Sequence, residues 1–267
     1  MGALDRGRLM QAATTAVVGV GGVLESVSCQ SPVTVRQVRA EHPGTCALCV
    51  VGSAAGPLTG DHLSLDLTLR PGARATLAAT GASLAQGDNG GSGRLETRVQ
   101  LGAAAVLHAR PAAVIVAAGG SVDVRLDIEL ADDANIEWRE LLVLGRSGET
   151  PGKATLHWNV TRSGRPVLRQ TVDLTDPTLT AWPGMLAGGR VIASAFLSGP
   201  DVVAQTRIAS ETAVAARLDA NTCLVTVLGT DVSEVSAHLD ALCMDLTLSG
   251  GRLVGATCHT TVQTTAS

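Results

Sequence analysis

Two stretches of this chain place an aliphatic residue at every second position and a polar one between. His62-Leu63-Ser64-Leu65-Asp66-Leu67-Thr68-Leu69 is the first, and Ser121-Val122-Asp123-Val124-Arg125-Leu126-Asp127-Ile128-Glu129-Leu130 is the second. A period of two fits only an extended strand with one buried and one wet face, because successive side chains of a strand point to opposite sides. Residues 94–101, 153–160 and 167–174 are further candidates. Turn signals separate them: Arg70-Pro71-Gly72, the glycine-rich run at 86–91, Ala131-Asp132-Asp133 and Arg162-Ser163-Gly164-Arg165. The chain is therefore mainly β.

The turns echo one another. Leu69 to Ala73 leads to Leu77, residues 99–103 lead to Leu107, and residues 130–134 lead to Trp138. Alanines 73, 103 and 134 then lie thirty and thirty-one residues apart. Such a period suggests stacked or layered β-sheets of β-solenoid type, although any antiparallel sheet also repeats its turns. Strands at 191–197 and 223–228 follow Trp182-Pro183-Gly184. Thr230-Asp231 can cap a helix whose apolar face is Val232, Val235, Leu239 and Leu242; this is the clearest of the one or two helices expected. The organisation read this way is an N-terminal extension at 1–31, a β domain at 32–249 and a polar, Thr-rich tail at 250–267.

Composition narrows the function classes. Hydrophobic residues make up 45 %, enough for a core, but there are only three Trp, one Phe and no Tyr. The core must be aliphatic. A net charge of −4, a pI of about 5.8 and the lack of any basic run argue against a nucleic-acid binder. No run of eighteen apolar residues exists, so no membrane-crossing helix is expected. Arg6 and Arg8 precede a small-residue apolar stretch that ends near Cys29, the outline of a secretory or lipidation signal. Asp5, Thr14, Thr15 and glycines 19, 21 and 22 weaken it. A secreted or lipid-anchored β-solenoid binding module is therefore kept as an alternative, and a cytoplasmic protein with reduced thiols is the primary reading.

No nucleophile elbow or phosphate loop is present, and Gly19-Val20-Gly21-Gly22 is a poor fragment of a dinucleotide loop. Cys46-Ala47-Leu48-Cys49 is a lone CxxC without a second ligand pair. Its flanks read as strand, which turns the two thiols to opposite faces and makes core residues of them; a thiol-based metal or redox role is the rival. The carboxylates carry more. Asp61 sits in a glycine turn that leads into the first leucine strand, where it can cap the turn or present a ligand. Glu140 falls in Ile136-Glu137-Trp138-Arg139-Glu140-Leu141-Leu142-Val143-Leu144, ahead of Gly145-Arg146-Ser147-Gly148-Glu149. At the edge of an apolar run, an acid needs a partner, a proton or a metal. Arg139 or Arg146 could be the partner.

These segments, in this order, resemble the UreD (UreH) family of urease accessory proteins over about residues 33–246. The resemblance rests on Glu140 with Gly145-Arg146 and Gly148-Glu149, on Gly56-Pro57-Leu58-Thr59-Gly60-Asp61, on Pro71-Gly72-Ala73, on a turn containing Asp88, and on Gly164-Arg165-Pro166. Ala112 stands where the family usually has an acid. The resemblance implies a mostly β fold and a non-enzyme. It implies a scaffold in urease metallocentre assembly that holds the urease apoprotein and acts with UreF and UreG. Nickel would travel through the protein. Asp61 and Glu140 would then be channel or interface carboxylates for transient Ni2+, with no tightly bound cofactor.

Overall fold

The computed structural model describes residues 9–87 and 90–247. Strands β1 (Gln11–Gly19), β2 (Val23–Ser28), β3 (Val33–Val38) and β4 (Cys46–Gly52) come first. β5 (His62–Leu69), β6 (Arg74–Ala79), β7 (Ser83–Ala85), β8 (Gly93–Leu101), β9 (Val106–Ala109) and β10 (Val114–Val116) follow. Then come β11 (Ser121–Leu130), β12 (Asn135–Leu144), β13 (Lys153–Arg162) and β14 (Arg165–Leu174). Two one-turn helices, α1 (Pro177–Thr180) and α2 (Pro183–Leu186), lead to β15 (Val191–Ser198), β16 (Arg207–Ser210), β17 (Ala213–Asp219), β18 (Thr222–Gly229) and α3 (Val232–Asp245).

The strands form two sheets. One has seven strands in the order β14-β13-β11-β8-β5-β1-β2. The other has eleven, with a continuous path β16-β17-β18-β15-β12-β9-β6-β4-β3, and β10 and β7 attached beside β12. β5, β8, β11 and β13 pair in parallel in the first sheet, and β4, β6, β9 and β12 do so in the second. The chain thus passes from one sheet to the other and back, adding a layer each time, as the turn echo anticipates. The register differs from that echo by two residues. Leu69, Leu101 and Leu130 are the aligned strand ends, and Leu77, Ala109 and Trp138 align across the turn. Layers of unequal length hide this register from a search for one fixed period.

Alternation becomes layering. Leu63, Leu65, Leu67 and Leu69 are buried between the sheets, as are Val122, Val124, Leu126, Ile128 and Leu130. Each fully buried aliphatic side chain contributes roughly 1.5–3 kcal/mol. The intervening polar residues form cross-strand charge ladders on the outer face, such as Arg98 with Asp66 (3.4 Å) and Arg94 with Asp123 (3.3 Å). On the outer face of the larger sheet lies α3. Asp231 caps it by accepting from the Ser233 and Glu234 amides (2.8 and 3.0 Å). Its buried face is Val235, Leu239, Leu242 and Cys243; Val232, expected on that face, stays exposed at the first turn.

One boundary is corrected. Residues 11–28, expected as an extension outside the domain, are β1 and β2, and β1 pairs with β5 over eight positions. Small residues dilute the pattern there: Ala12, Thr14 and Ala16 face inward, and so mimic a leader segment. A mature chain starting near Cys29 would lose both strands. No helix among the described residues is long and apolar enough to cross a membrane. Asp88 and the polar tail at 250–267 lie outside the described residues.

Candidate functional site

Strand β12 carries the chemistry of the molecule. Ile136, Trp138, Leu142 and Leu144 on one face belong to the core between the sheets, while Val143 on the other packs in the cluster with α3. Glu140 shares the parity of Trp138 and Leu142, so its carboxylate enters the inter-sheet core. There it separates two apolar clusters, one around Trp138, Trp158 and Phe196 and the other around Leu142, Leu144 and Leu156.

The hydrogen bond found for the Glu140 carboxylate comes from the Trp158 indole N–H on the opposite sheet. The arginines anticipated as its partners are engaged elsewhere: Arg139 with Glu137 and Asp240, Arg146 with Glu149. Burial pushes the Glu140 carboxyl up to about 7, against a smaller opposing effect of the indole N–H. Near neutrality this group exchanges a proton.

Glu140 lines three separate cavities. A wide one of about 290 Å³ runs between the sheets towards β14 and α2, with Trp158, Gln170, Ser194 and Thr226 in its wall. A narrower one of about 110 Å³ runs the other way between the sheets, past Thr97, Trp138 and Ala112. The third, about 190 Å³, lies on the outer face of the larger sheet between β12 and α3, lined in part by Arg110, Arg139, Leu239 and Asp240.

Sheet pairing is interrupted at this position. β9 pairs with β12 at residues 135–138, and β10 pairs with it at 142–144. Between them, Arg110-Pro111-Ala112-Ala113 leaves the ladder, and positions 139–141 of β12 have no neighbour on that edge. Pro111 cannot donate to a ladder, which suits it to this break. The gap is a break, or window, in the hydrogen-bond ladder beside Glu140. On the outer side a charged network frames the window: Arg139 binds Glu137 and Asp240, Arg110 Nη2 lies 3.4 Å from Asp240, and His108 Nδ1 lies 3.4 Å from Glu137. Burial works against ionisation of Glu137, but His108 and Arg139 outweigh it and hold the carboxyl at about 2.

The remaining sequence candidates are placed as follows. Asp61 is a turn anchor: its two oxygens accept from the Met10 and Leu58 amides, each at 2.9 Å. It lines none of the three cavities at Glu140, so the two carboxylates do not share a site. Gly145 to Glu149 forms a clasp. Glu149 accepts from the Ala118 and Arg146 amides (both 3.1 Å) and from Arg146 Nε (2.7 Å), while Arg190 holds the Leu144 and Glu149 carbonyls. Gly145 has φ +83°, and a Cβ there would sit 2.8 Å from the Thr150 carbonyl oxygen. Cys46 and Cys49 are both buried in β4, and burial pushes the Cys46 thiol up to about 11, which suits a core residue rather than a reactive thiolate. Among the described residues no three His, Cys, Asp or Glu side chains converge on a metal-binding position.

Trp158, the window at 110–113 and the inward hydroxyls of Ser194 and Thr226 were absent from the sequence reading. The parity of Glu140 with Trp138 and Leu142 was the available signal for an interior carboxylate. The break between β9 and β10 left only Pro111 as a trace.

A layered β scaffold with a carboxylate between its sheets and no nucleophile or phosphate-loop motif is the class of protein defined so far. Comparison with known proteins gives the family. The model of the UreD urease accessory protein family matches residues 6–256, and the chain belongs to that family. It is 37 % identical over 178 residues to urease accessory protein UreD 1 of Saccharopolyspora erythraea, covering 64 % of this chain and 69 % of that one. It is 32 % identical over 201 residues to UreD 1 of Streptomyces griseus subsp. griseus, covering 73 % and 75 %. UreD 3 of the same organism is 28 % identical over 234 residues, covering 85 % and 91 %.

Proposed function

We propose that this chain is a non-catalytic scaffold and nickel conduit in the maturation of urease. It works in the cytoplasm, bound to the urease apoprotein and to the accessory proteins UreF and UreG. The observation that carries this reading is the Glu140 carboxylate, set between the sheets at a break in the ladder and in the lining of three cavities. A single hard-oxygen ligand holds a divalent ion briefly, whereas a cage of thiols and imidazoles would retain it. The relatives are named as urease accessory proteins, in keeping with a helper rather than an enzyme.

Co-expression with urease subunits, UreF and UreG, followed by affinity capture and nickel analysis, tests both halves of the proposal. Wild-type chain should co-purify with all three partners. Glu140→Ala should remain in the complex but leave urease depleted of nickel. Failure to capture urease refutes the scaffold, and full nickel content with Glu140→Ala refutes the role of Glu140.

A further inference from the structure

The strands at the ends of the two sheets differ in how their outer edges are closed. β16 has four residues and a bulge, β7 has three, and β2 has six with a bulge in its pairing to β1. The edge of β3 is occupied: its Val33 carbonyl accepts from the Thr14 hydroxyl (2.6 Å), and its Val35 amide donates to Cys29 Sγ (3.3 Å). β14, the last strand of the seven-stranded sheet, is open. It has ten residues, and its register with β13 is unbroken from Leu168 to Leu174. Among the described residues, no backbone hydrogen bond reaches 168–174 from any strand but β13. The stretch also lacks the Pro, Gly or Lys that would blunt an edge. A free edge is a row of unpaired donors and acceptors that another strand can complete.

Side chains select that strand. Arg169, Thr171 and Asp173 alternate along the exposed face of β14. Among the described residues Arg169 has no acid within ion-pair range. Asp173 has no cation within that range and accepts from the Thr175 amide and hydroxyl (2.9 and 2.6 Å). A second β14, laid antiparallel about a two-fold axis at Thr171, sets each Arg169 opposite the partner's Asp173. Thr171 then faces the partner's Thr171, and Gln170 faces the partner's Val172. Opposite charges and Thr–Thr pairs across strands both stabilise a sheet. A register centred on Arg169 would instead set two arginines opposite each other, which is destabilising. Two-fold pairing of one self-complementary patch is also the commonest symmetry of protein oligomers.

We infer that the β14 edge is an interface between two copies of this chain. Residues 168–174 of each copy pair antiparallel, and the two seven-stranded sheets join into one. Nothing in this depends on the conduit reading, which stands or falls separately.

The test uses the full chain. In sedimentation equilibrium its mass should move from 27.1 kDa towards twice that value as concentration rises. Arg169→Asp sets like charges opposite each other and should weaken self-association about ten-fold or more. The swap Arg169→Asp/Asp173→Arg recreates the opposite pairs and should recover it. Thr171→Cys reads the register, because two thiols directly opposite each other lie within disulfide reach. Mild oxidation should therefore give a cross-linked dimer on a non-reducing gel. Wild type, with its exposed Cys29, and Ile208→Cys on β16 should not. A chain that stays monomeric overturns the interface, as does a dimer indifferent to Arg169→Asp and not cross-linked through Thr171→Cys. A monomer whose 168–174 amides gain protection from hydrogen exchange only when another protein is added gives the edge to that protein, and equally overturns pairing between copies. The mass of the wild type decides even where a variant does not fold.

Discussion

Two carboxylates three residues apart on β12 live in opposite worlds. Glu137, on the outer face, is enclosed by Arg139 and His108 and stays ionised down to about pH 2. Glu140, on the inner face, has an indole N–H and hydrocarbon around it, and its carboxyl titrates near 7. Strand geometry makes the difference, since three steps along a period-two structure change the face. Both groups are largely removed from bulk water. The first is held by cations, and the second only by the Trp158 indole N–H.

The contrast breaks most severely at Arg139. Arg139→Leu leaves Glu137 and the half-exposed Asp240 only the more distant Arg110 as a shared cation (3.9 and 3.4 Å), and one partner removed from a buried ion pair costs up to about 3–5 kcal/mol. Chemical denaturation at pH 7 should show a loss of that order, together with weakened attachment of α3. A loss below about 1 kcal/mol would mean that the network is screened by solvent.

Stability against pH sharpens the same comparison. Between about 4.5 and 7 the native state keeps a proton on Glu140 that the unfolded chain has released, so this group lowers stability as pH rises through that window. Below 4.5 it contributes nothing either way. The shift corresponds to about 3 kcal/mol at pH 8. Glu140→Gln should therefore gain on the wild type as pH rises from 5 to 8, by up to that amount in urea unfolding. For Glu137, whose native carboxyl titrates near 2, the sign reverses: its stabilisation is full above about 4.5 and disappears as pH falls towards 2. Parallel curves for wild type and Glu140→Gln would contradict the assignment.

Smaller effects are expected at the Asp61 turn and on the exposed charge ladder. Asp61→Ala frees two amides at a turn and should cost roughly 1–2 kcal/mol, in line with lost capping bonds. Nickel delivery per folded molecule should not change. Arg98→Ala on the exposed charge ladder should cost less than about 1 kcal/mol. If Asp61→Ala selectively removed nickel delivery at full stability, that residue would rejoin the pathway.

Much of the scaffold was legible in the sequence because its cause is local. Leucine at alternate positions in 62–69, the Arg70-Pro71-Gly72 turn and the Asp231 cap each act within a few residues. Neighbour relations were less legible. A parallel pair joins residues about thirty apart, so Leu101 aligns with Leu69 through a register that no short pattern records. β1 was hidden because alanine and threonine take its inward places. Glu140 was identified, but its indole partner lies on the other sheet, and the window exists only because two separate strands meet β12 with a gap between them.

The central claim is that the ion passes beside Glu140 through that gap, and a plug tests it without touching the carboxylate. Ala112 lies in the segment that leaves the ladder and lines the narrow cavity. Urease matured with Ala112→Phe should be captured with the accessory complex as for the wild type, yet contain several-fold less nickel. Full nickel content in that urease would contradict passage through the window.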